Sequence, residues 1–162
     1  HRGQILVSTM ARDGDVGQAA RLQVKLVCAA CGQDGVLGIY ANGTVYQPEF
    51  YLNASQPMED GELPLLDLVW MGLYRREEGL CGYTDGLAAF GKEEIEVLDT
   101  QAAPGDLHSF LLDLASYVLE EDVTFHDGET IGFTEGQYLP ISRSAGVWHD
   151  GMTLKISYPE EP

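Results

Sequence analysis

A short internal repeat near the end of the chain places the strongest constraint on its fold. The repeat consists of Phe125–Ile131 (FHDGETI) and Trp148–Leu154 (WHDGMTL), whose histidines lie 23 residues apart. An Asp-Gly pair is typical of a tight turn, and Thr followed by Ile or Leu favours the start of a strand. The repeat therefore predicts two similar turn-to-strand elements of one sheet.

Apolar residues at helical spacing predict a helix in the first part of the chain. Asp15 followed by Gln18 favours an N-cap, and Gly32 favours the C-terminal end. We expect this helix to be well buried, because its apolar stripe is wide. The stripe consists of Val16, Ala20, Val24, Val27 and Cys31.

A second helix is predicted after Ala103-Pro104-Gly105 from the same kind of pattern. Its C-terminal end carries Glu120, Glu121 and Asp122, whose charge opposes the helix dipole. We therefore expect that end to be frayed or used for binding. The apolar positions of the helix are Leu107, Phe110, Leu111, Leu114 and Val118.

Short segments rich in β-forming residues predict the remaining strands. With the two strands of the repeat, they predict an α+β fold: a largely antiparallel sheet of about six strands packed with two main helices. No linker splits the chain, so residues 1–162 are expected to form a single α+β domain. The segments are Gln4–Met10, a hairpin at Asn42-Gly43, Leu65–Tyr74 as a central strand covered on both faces, Leu80–Phe90 and Ile95–Leu98.

The charge of the chain narrows the kinds of partner it can have. Nine Lys and Arg residues stand against 26 Asp and Glu residues, which gives a formal net charge of −17. This field repels nucleic-acid phosphates and anionic membranes and speeds association with basic molecules. We expect no nucleic-acid or membrane partner and a protein with a basic surface as the partner; solubility alone is the simpler explanation of the charge.

The cysteine count favours a cytoplasmic protein. Cys28, Cys31 and Cys81 cannot all pair within one molecule, and no secretion-signal pattern or bilayer-spanning apolar run is present. Cys28 and Cys31 have the Cys-x-x-Cys spacing of redox and zinc sites. Because they fall at the C-terminal end of the predicted helix, where the dipole disfavours thiolate, we interpret them as structural.

Three acidic clusters are the candidate partner-binding residues. Glu94 and Glu96 would share one face of a strand, with Ile95 and Val97 turned to the core. A solvated edge or loop is the simpler explanation for these charges. The candidates are Glu59, Asp60, Glu62, Glu93, Glu94, Glu96, Glu120, Glu121 and Asp122.

Two alternatives would give the chain catalytic chemistry. His126, Asp127, His149 and Asp150 could ligate a divalent metal if the two turns met, although turn formation alone accounts for these residues. The carboxylates between Glu93 and Asp99 could supply acid–base pairs. No serine-nucleophile, phosphate-loop, dinucleotide or zinc-protease motif is present, so we predict no catalytic residue and no cofactor.

Six phrases follow one another along the chain: Gly61–Pro64, Tyr83–Leu87, Phe90–Val97, Tyr117–Leu119, Asp127–Gly132 and Asp150–Ile156. Their order resembles that in the bacterial domain-of-unknown-function family DUF4261. That family has no assigned catalytic residues, so the resemblance implies none in this chain. The segment Thr84–Glu96 is also similar to pieces of bacterial suppressor-of-fused-type proteins, some of which are toxin immunity proteins.

The sequence therefore predicts a non-catalytic, acidic, protein-binding domain, with toxin neutralisation as a narrower form of that function. The alternative is a small metal-assisted or acid–base enzyme that uses His126 and His149 or the carboxylates from Glu93 to Asp99.

Overall fold

The computed structural model describes residues 3–11, 14–134 and 136–159 and has the predicted α+β fold. The chain divides between Trp70 and Met71 into two compact units, one N-terminal and one C-terminal. The single domain expected for residues 1–162 stays a prediction. No helix in the described ranges has both the length and the apolarity needed to cross a membrane.

Local sequence signals account for most elements of the N-terminal unit. The Asp15 side chain accepts a hydrogen bond from the Gln18 amide (2.8 Å), and Gly32 caps the other end of α1, as predicted. Asn42-Gly43 forms the two-residue turn of the predicted hairpin. The elements are α1 (Val16–Cys31), β1 (Ile39–Ala41), β2 (Thr44–Tyr46), α2 (Pro48–Ala54), a 3-10 turn (Gln56–Asp60) and α3 (Leu65–Leu68).

Three expectations for this half of the sequence are wrong. Gln4–Met10 is not a strand, because it has no strand partner among the described residues. In α1 only Val24 is buried, since the core of this unit reaches one narrow stripe of the helix. Leu65–Tyr74 is not a central strand. Its first residues form a helical turn, because Pro64 stands at the start of that turn, and the strand that follows lies at the edge of its sheet.

The C-terminal unit is built on a six-stranded sheet in the order β3-β4-β5-β8-β7-β6. The pairs β4–β5, β7–β8 and β6–β7 are antiparallel, and β5–β8 is parallel, so the sheet is mostly antiparallel as predicted. The connection from β5 to β8 contains α4. The elements are β3 (Trp70–Arg75), β4 (Leu80–Asp85), a 3-10 turn (Leu87–Phe90), β5 (Ile95–Thr100), α4 (Pro104–Glu120), β6 (Thr130–Thr134), β7 (Gln137–Ala145) and β8 (Met152–Ile156).

Helix α4 packs closely on one face of this sheet. A Cβ added to Gly82 on β4 would lie 2.7 Å from Cδ1 of Leu111, so the glycine permits the close approach of helix and strand. Leu107 and Leu111 are fully buried in this layer. The predicted apolar stripe of α4 is therefore confirmed.

The internal repeat forms the two turn-to-strand elements that were predicted. The first copy leads into β6 and the second into β8, and both strands belong to the six-stranded sheet. Gly128 and Gly151 have φ angles of 83° and 99°, which explains the glycine after each aspartate. The two copies are separated in the sheet by β7.

Candidate functional site

A groove of about 810 Å³ lies between α4 and β6 in the C-terminal unit. Its volume falls in the range of roughly 300–1,000 Å³ that is usual for ligand sites. None of its eleven lining residues is basic. They are Asp113, Leu114, Tyr117, Val123, Phe125, Gly128, Glu129, Thr130, Ile131, Gly132 and Phe133.

The two long walls of the groove differ in character. One wall is the helix face that carries Asp113, Leu114 and Tyr117. The other wall is the run 128–133 along β6, the last strand of the sheet. Because side chains of a strand alternate between its faces, the four consecutive strand residues 130–133 line this wall through the backbone edge of the strand.

Aromatic rings make part of the groove apolar. Tyr117 stacks on Phe125 at a centroid distance of 6.2 Å and is 44% exposed. Phe133 meets Phe110 edge to face at 5.3 Å and is 42% exposed. These two half-exposed rings provide apolar surface that another molecule could bury.

Carboxylates give the groove a negative rim. Asp113 on α4 and Glu129 before β6 are both exposed. The predicted acidic cluster Glu120, Glu121 and Asp122 continues the chain between Tyr117 and Val123 and is exposed as well. The groove therefore lies beside one of the three predicted acidic clusters.

Lys92 stabilises the acidic end of α4. Its Nζ lies 2.7 Å from Oδ1 of Asp122 and donates to the Asp122 carbonyl (3.1 Å) and to Oγ1 of Thr124 (3.1 Å). This hydrogen bond and charge hold the pKa of Asp122 below its usual value. The negative charges at the C-terminal end of α4 are unfavourable for the helix dipole, and the positive charge of Lys92 beside them offsets this effect.

Glu94 is an internal structural carboxylate and not a solvated one. It accepts hydrogen bonds from Oγ1 of Thr84 (2.7 Å) and from the amides of Gly86 (2.9 Å) and Ala88 (2.9 Å). These bonds fix the 3-10 turn after β4. The prediction of a solvated face is wrong for Glu94, because the side chain is needed to satisfy that turn.

Glu96 is buried even more deeply, and the solvated face predicted for it is also wrong. Its carboxylate accepts hydrogen bonds from the amides of Val147 (2.9 Å), Trp148 (3.1 Å) and His149 (3.2 Å), and Nζ of Lys155 lies 3.3 Å away. Burial alone would raise the pKa of Glu96, but these hydrogen bonds and the lysine charge lower it. Glu96 therefore anchors the turn of the second repeat copy to β5.

The other acidic candidates lie on the surface. Oε1 and Oε2 of Glu93 lie 2.7 and 2.9 Å from Nε of Arg143. Glu59, Asp60 and Glu62 are exposed in the N-terminal unit, at and after its 3-10 turn.

The structure does not assemble the alternative metal site. His149 places Nε2 2.7 Å from the Thr84 carbonyl, whereas His126 is exposed and its amide donates to Glu129. Oδ1 of Asp127 accepts from the Arg143 amide. Within the described ranges, no three His, Cys, Asp or Glu residues form a group that could hold a metal ion. The site proposed from His126, Asp127, His149 and Asp150 is therefore not formed by them.

The Cys-x-x-Cys pair lies at the end of α1, as predicted. Both thiols are free and half-buried, and Cys28 packs against the core of the N-terminal unit. Burial, followed by the effects of Cys28 and Asp67, raises the pKa of Cys31. A raised pKa disfavours the reactive thiolate, which fits the structural interpretation.

Asp67 is a buried carboxyl that was not among the candidate residues predicted from the sequence. It is 3% exposed, neither side-chain oxygen has a hydrogen-bond partner among the described residues, and burial raises its pKa to about 7. The signal was an aspartate inside the apolar run Leu65–Val69. No nucleophile or base is aligned with it by a hydrogen bond among the described residues, so it forms no catalytic pair.

Comparison with known proteins identifies one related family. Residues 83–157 match the model of DUF4261, a domain of unknown function, which confirms the resemblance over that segment. The matched segment contains every residue that lines the groove, together with Glu94 and Glu96. No curated protein and no solved structure matches the chain.

Proposed function

We propose that this chain, whose residues 83–157 match DUF4261, is a non-catalytic domain that binds a basic surface of another protein in the groove between α4 and β6. The observation that carries the proposal is the composition of that groove. It combines half-exposed aromatic rings with the carboxylates of Asp113 and Glu129, and it has no basic lining residue.

The distribution of charge supports a basic partner. Residues 71–162 hold 18 of the 26 acidic residues and 5 of the 9 basic ones, and so carry −13 of the net charge of −17. Three of these five cations already have a carboxylate partner within the chain, because Lys92, Arg143 and Lys155 each lie within 3.3 Å of one. The exposed acids at the groove therefore attract cations from outside.

The two kinds of groove surface would contribute differently to binding. The carboxylates speed association and make it sensitive to salt, because exposed charges are screened over about 10 Å at 0.1 M ionic strength. The aromatic surface supplies affinity at about 25 cal/mol per Å² of apolar area removed from water. Binding by this mechanism weakens with salt but is not abolished by it.

A random 12-residue peptide display screen against the immobilised chain tests the proposal. We expect peptides rich in Lys and Arg to be enriched in low salt. The double variant Asp113→Asn/Glu129→Gln should lose that enrichment, whereas Glu59→Gln/Asp60→Asn, which removes the same charge elsewhere, should retain it. Enriched peptides with no excess of basic residues would contradict the proposal.

The proposal has a narrower form and a cellular setting. The narrower form is neutralisation of a basic bacterial toxin, which the similarity of Thr84–Glu96 to suppressor-of-fused-type proteins suggests. The setting is the cytoplasm, because Cys28, Cys31 and Cys81 are free thiols. Growth rescue in cells that express a candidate basic toxin would test the narrower form.

A further inference from the structure

We infer that the partner enters the groove as an extended segment that pairs with the open edge of β6 and presents both apolar and basic side chains on the face it turns to the groove. This inference rests on the proposed function, since it states how that same groove binds. The occupant is a stretch of another protein and not a second copy of this chain.

The open backbone edge of β6 is the first argument. β6 pairs with β7 on one side and is the last strand of its sheet. Residues 128–133 line the groove, and all of them except the half-buried Ile131 are exposed. An added strand lies about 4.8 Å from its neighbour and binds through main-chain hydrogen bonds, so this wall is suited to receive one.

The side-chain pattern of β6 is the second argument. Ile131 is opposite the buried Leu139 and so faces α4, whereas Gly132 is opposite Tyr138, which is exposed on the other face. An incoming strand would follow the same alternation. Every second residue would face the α4 side, toward the rings of Tyr117 and Phe125 and the rim carboxylates of Asp113 and Glu129. The residues between them would face solvent.

The lack of protection along this edge is the third argument. Exposed edge strands in soluble proteins usually carry Lys, Pro or an irregularity that prevents pairing. β6 (TIGFT) carries neither Lys nor Pro, and its described pairing with β7 has one irregularity, a register shift after Gly132. The segment available for pairing is therefore Thr130–Gly132, together with the turn before it.

Charge complementarity decides between a basic partner and a second copy. Pairing of two β6 edges would bring the Asp113 and Glu129 carboxylates of two chains together, each chain with a net charge of −17. A basic segment instead places opposite charges at the rim. The same rim that disfavours self-pairing therefore favours a basic segment as the occupant.

The test uses a synthetic seven-residue peptide with Lys and Ile in turn at the odd positions and Thr at the even positions, with blocked ends and a fluorophore, measured by anisotropy in low salt. One N-methylated version removes the amide hydrogens of the odd residues, and another removes those of the even residues. Strand addition predicts that one version binds roughly tenfold more weakly and the other is unaffected, because only alternate amides face β6. These peptides leave the protein unchanged.

Two protein variants locate the binding. Tyr117→Ala should weaken binding of the unmethylated peptide roughly tenfold, and Tyr138→Ala, a matched exposed ring on the other face, should not. Slower hydrogen exchange of the amides of residues 130–132 on adding peptide would support pairing. Equal binding of both methylated peptides, with salt-sensitive affinity retained, would overturn strand addition and leave the proposed function standing.

Other outcomes separate the remaining explanations. Sedimentation of the free chain as a dimer, with residues 130–132 protected from exchange, would make a second copy the occupant and overturn the inference. Failure of the seven-residue peptide to bind while the display screen enriches other basic peptides would overturn only the inference. Failure of both would remove the proposed function as well.

Discussion

Asp67→Asn tests the cost of a buried carboxylate in the N-terminal unit. The side chain is 3% exposed, and its two oxygens have no hydrogen-bond partner in the part of the chain that the structure describes. Tyr51 and Cys31 are close enough for the Asp67 charge to raise the pKa of each. Asparagine has nearly the same shape and carries no charge, so the variant removes the ionisation and little else.

The magnitude follows from the pKa of Asp67, which burial raises from 3.8 to about 7. The folded chain holds the Asp67 proton more tightly than the unfolded chain does. The contribution of Asp67 to the free energy of unfolding is therefore greatest below pH 3.8 and falls as the pH rises to about 7. One pKa unit corresponds to about 1.4 kcal/mol of unfolding free energy. Ionisation of Asp67 therefore lowers the free energy of unfolding by about 2 kcal/mol at pH 5.5 and by about 4 kcal/mol above pH 7. The stability gained by Asp67→Asn should therefore grow by about 2 kcal/mol between pH 5.5 and pH 8.5.

Urea unfolding followed by tryptophan fluorescence measures this gain. A Trp148→Phe background leaves Trp70 as the reporter, and its ring lies 5.8 Å from that of Tyr46 in the same unit as Asp67. Asp60→Asn is the control, because it removes an exposed carboxylate from the same unit. A gain that does not change with pH, or an Asn variant that is less stable at pH 8.5, would refute the reasoning.

Three further substitutions test contacts in the C-terminal unit. Glu96→Gln should lower the free energy of unfolding at pH 7 by about 2 kcal/mol, because it weakens charged hydrogen bonds. Since the pKa of Glu96 is lowered in the folded chain, this loss should shrink as the pH falls toward that pKa. Urea titrations in which the loss stays constant would contradict the prediction. Gly82→Ala should cost about 1–3 kcal/mol, because the new Cβ would lie 2.7 Å from Leu111, and unchanged thermal unfolding would contradict that packing. Lys92→Met should speed hydrogen exchange in the last turn of α4, where Lys92 contacts Asp122, and unchanged exchange there would show that the lysine does not stabilise that end.

The elements that the sequence predicted well are those set by neighbours in the chain. Asp15 and Gly32 cap the two ends of α1, and Asn42-Gly43 forms the turn of the β1–β2 hairpin. Both were predictable because capping and turn preferences act over a few residues. The repeat formed two strands of one sheet for the same reason. Gln4–Met10 shows the limit of such signals, because a strand also needs a partner that local sequence does not specify.

The candidate site was predictable only in part. The acidic candidates other than Glu94 and Glu96 lie at the surface, as expected for such charges. The burial of Glu96 could not be predicted from the sequence, because the amides that bind it come from residues about 50 positions later. The groove was missed for a similar reason, since it depends on β6 being the last strand and lying beside α4.

The two copies of the repeat have become unequal in how much change they can accept. The turn after Val147 must present consecutive amides to Glu96, and a Cβ at Gly146 would lie 2.2 Å from the His149 carbonyl oxygen. Among the described residues, the turn at Asp127 donates no amide to a buried carboxylate, and it borders the groove through Gly128. Mutations that change which partner the groove binds should therefore accumulate in the first copy. The second copy should vary less, because its turn must keep its hydrogen bonds to Glu96.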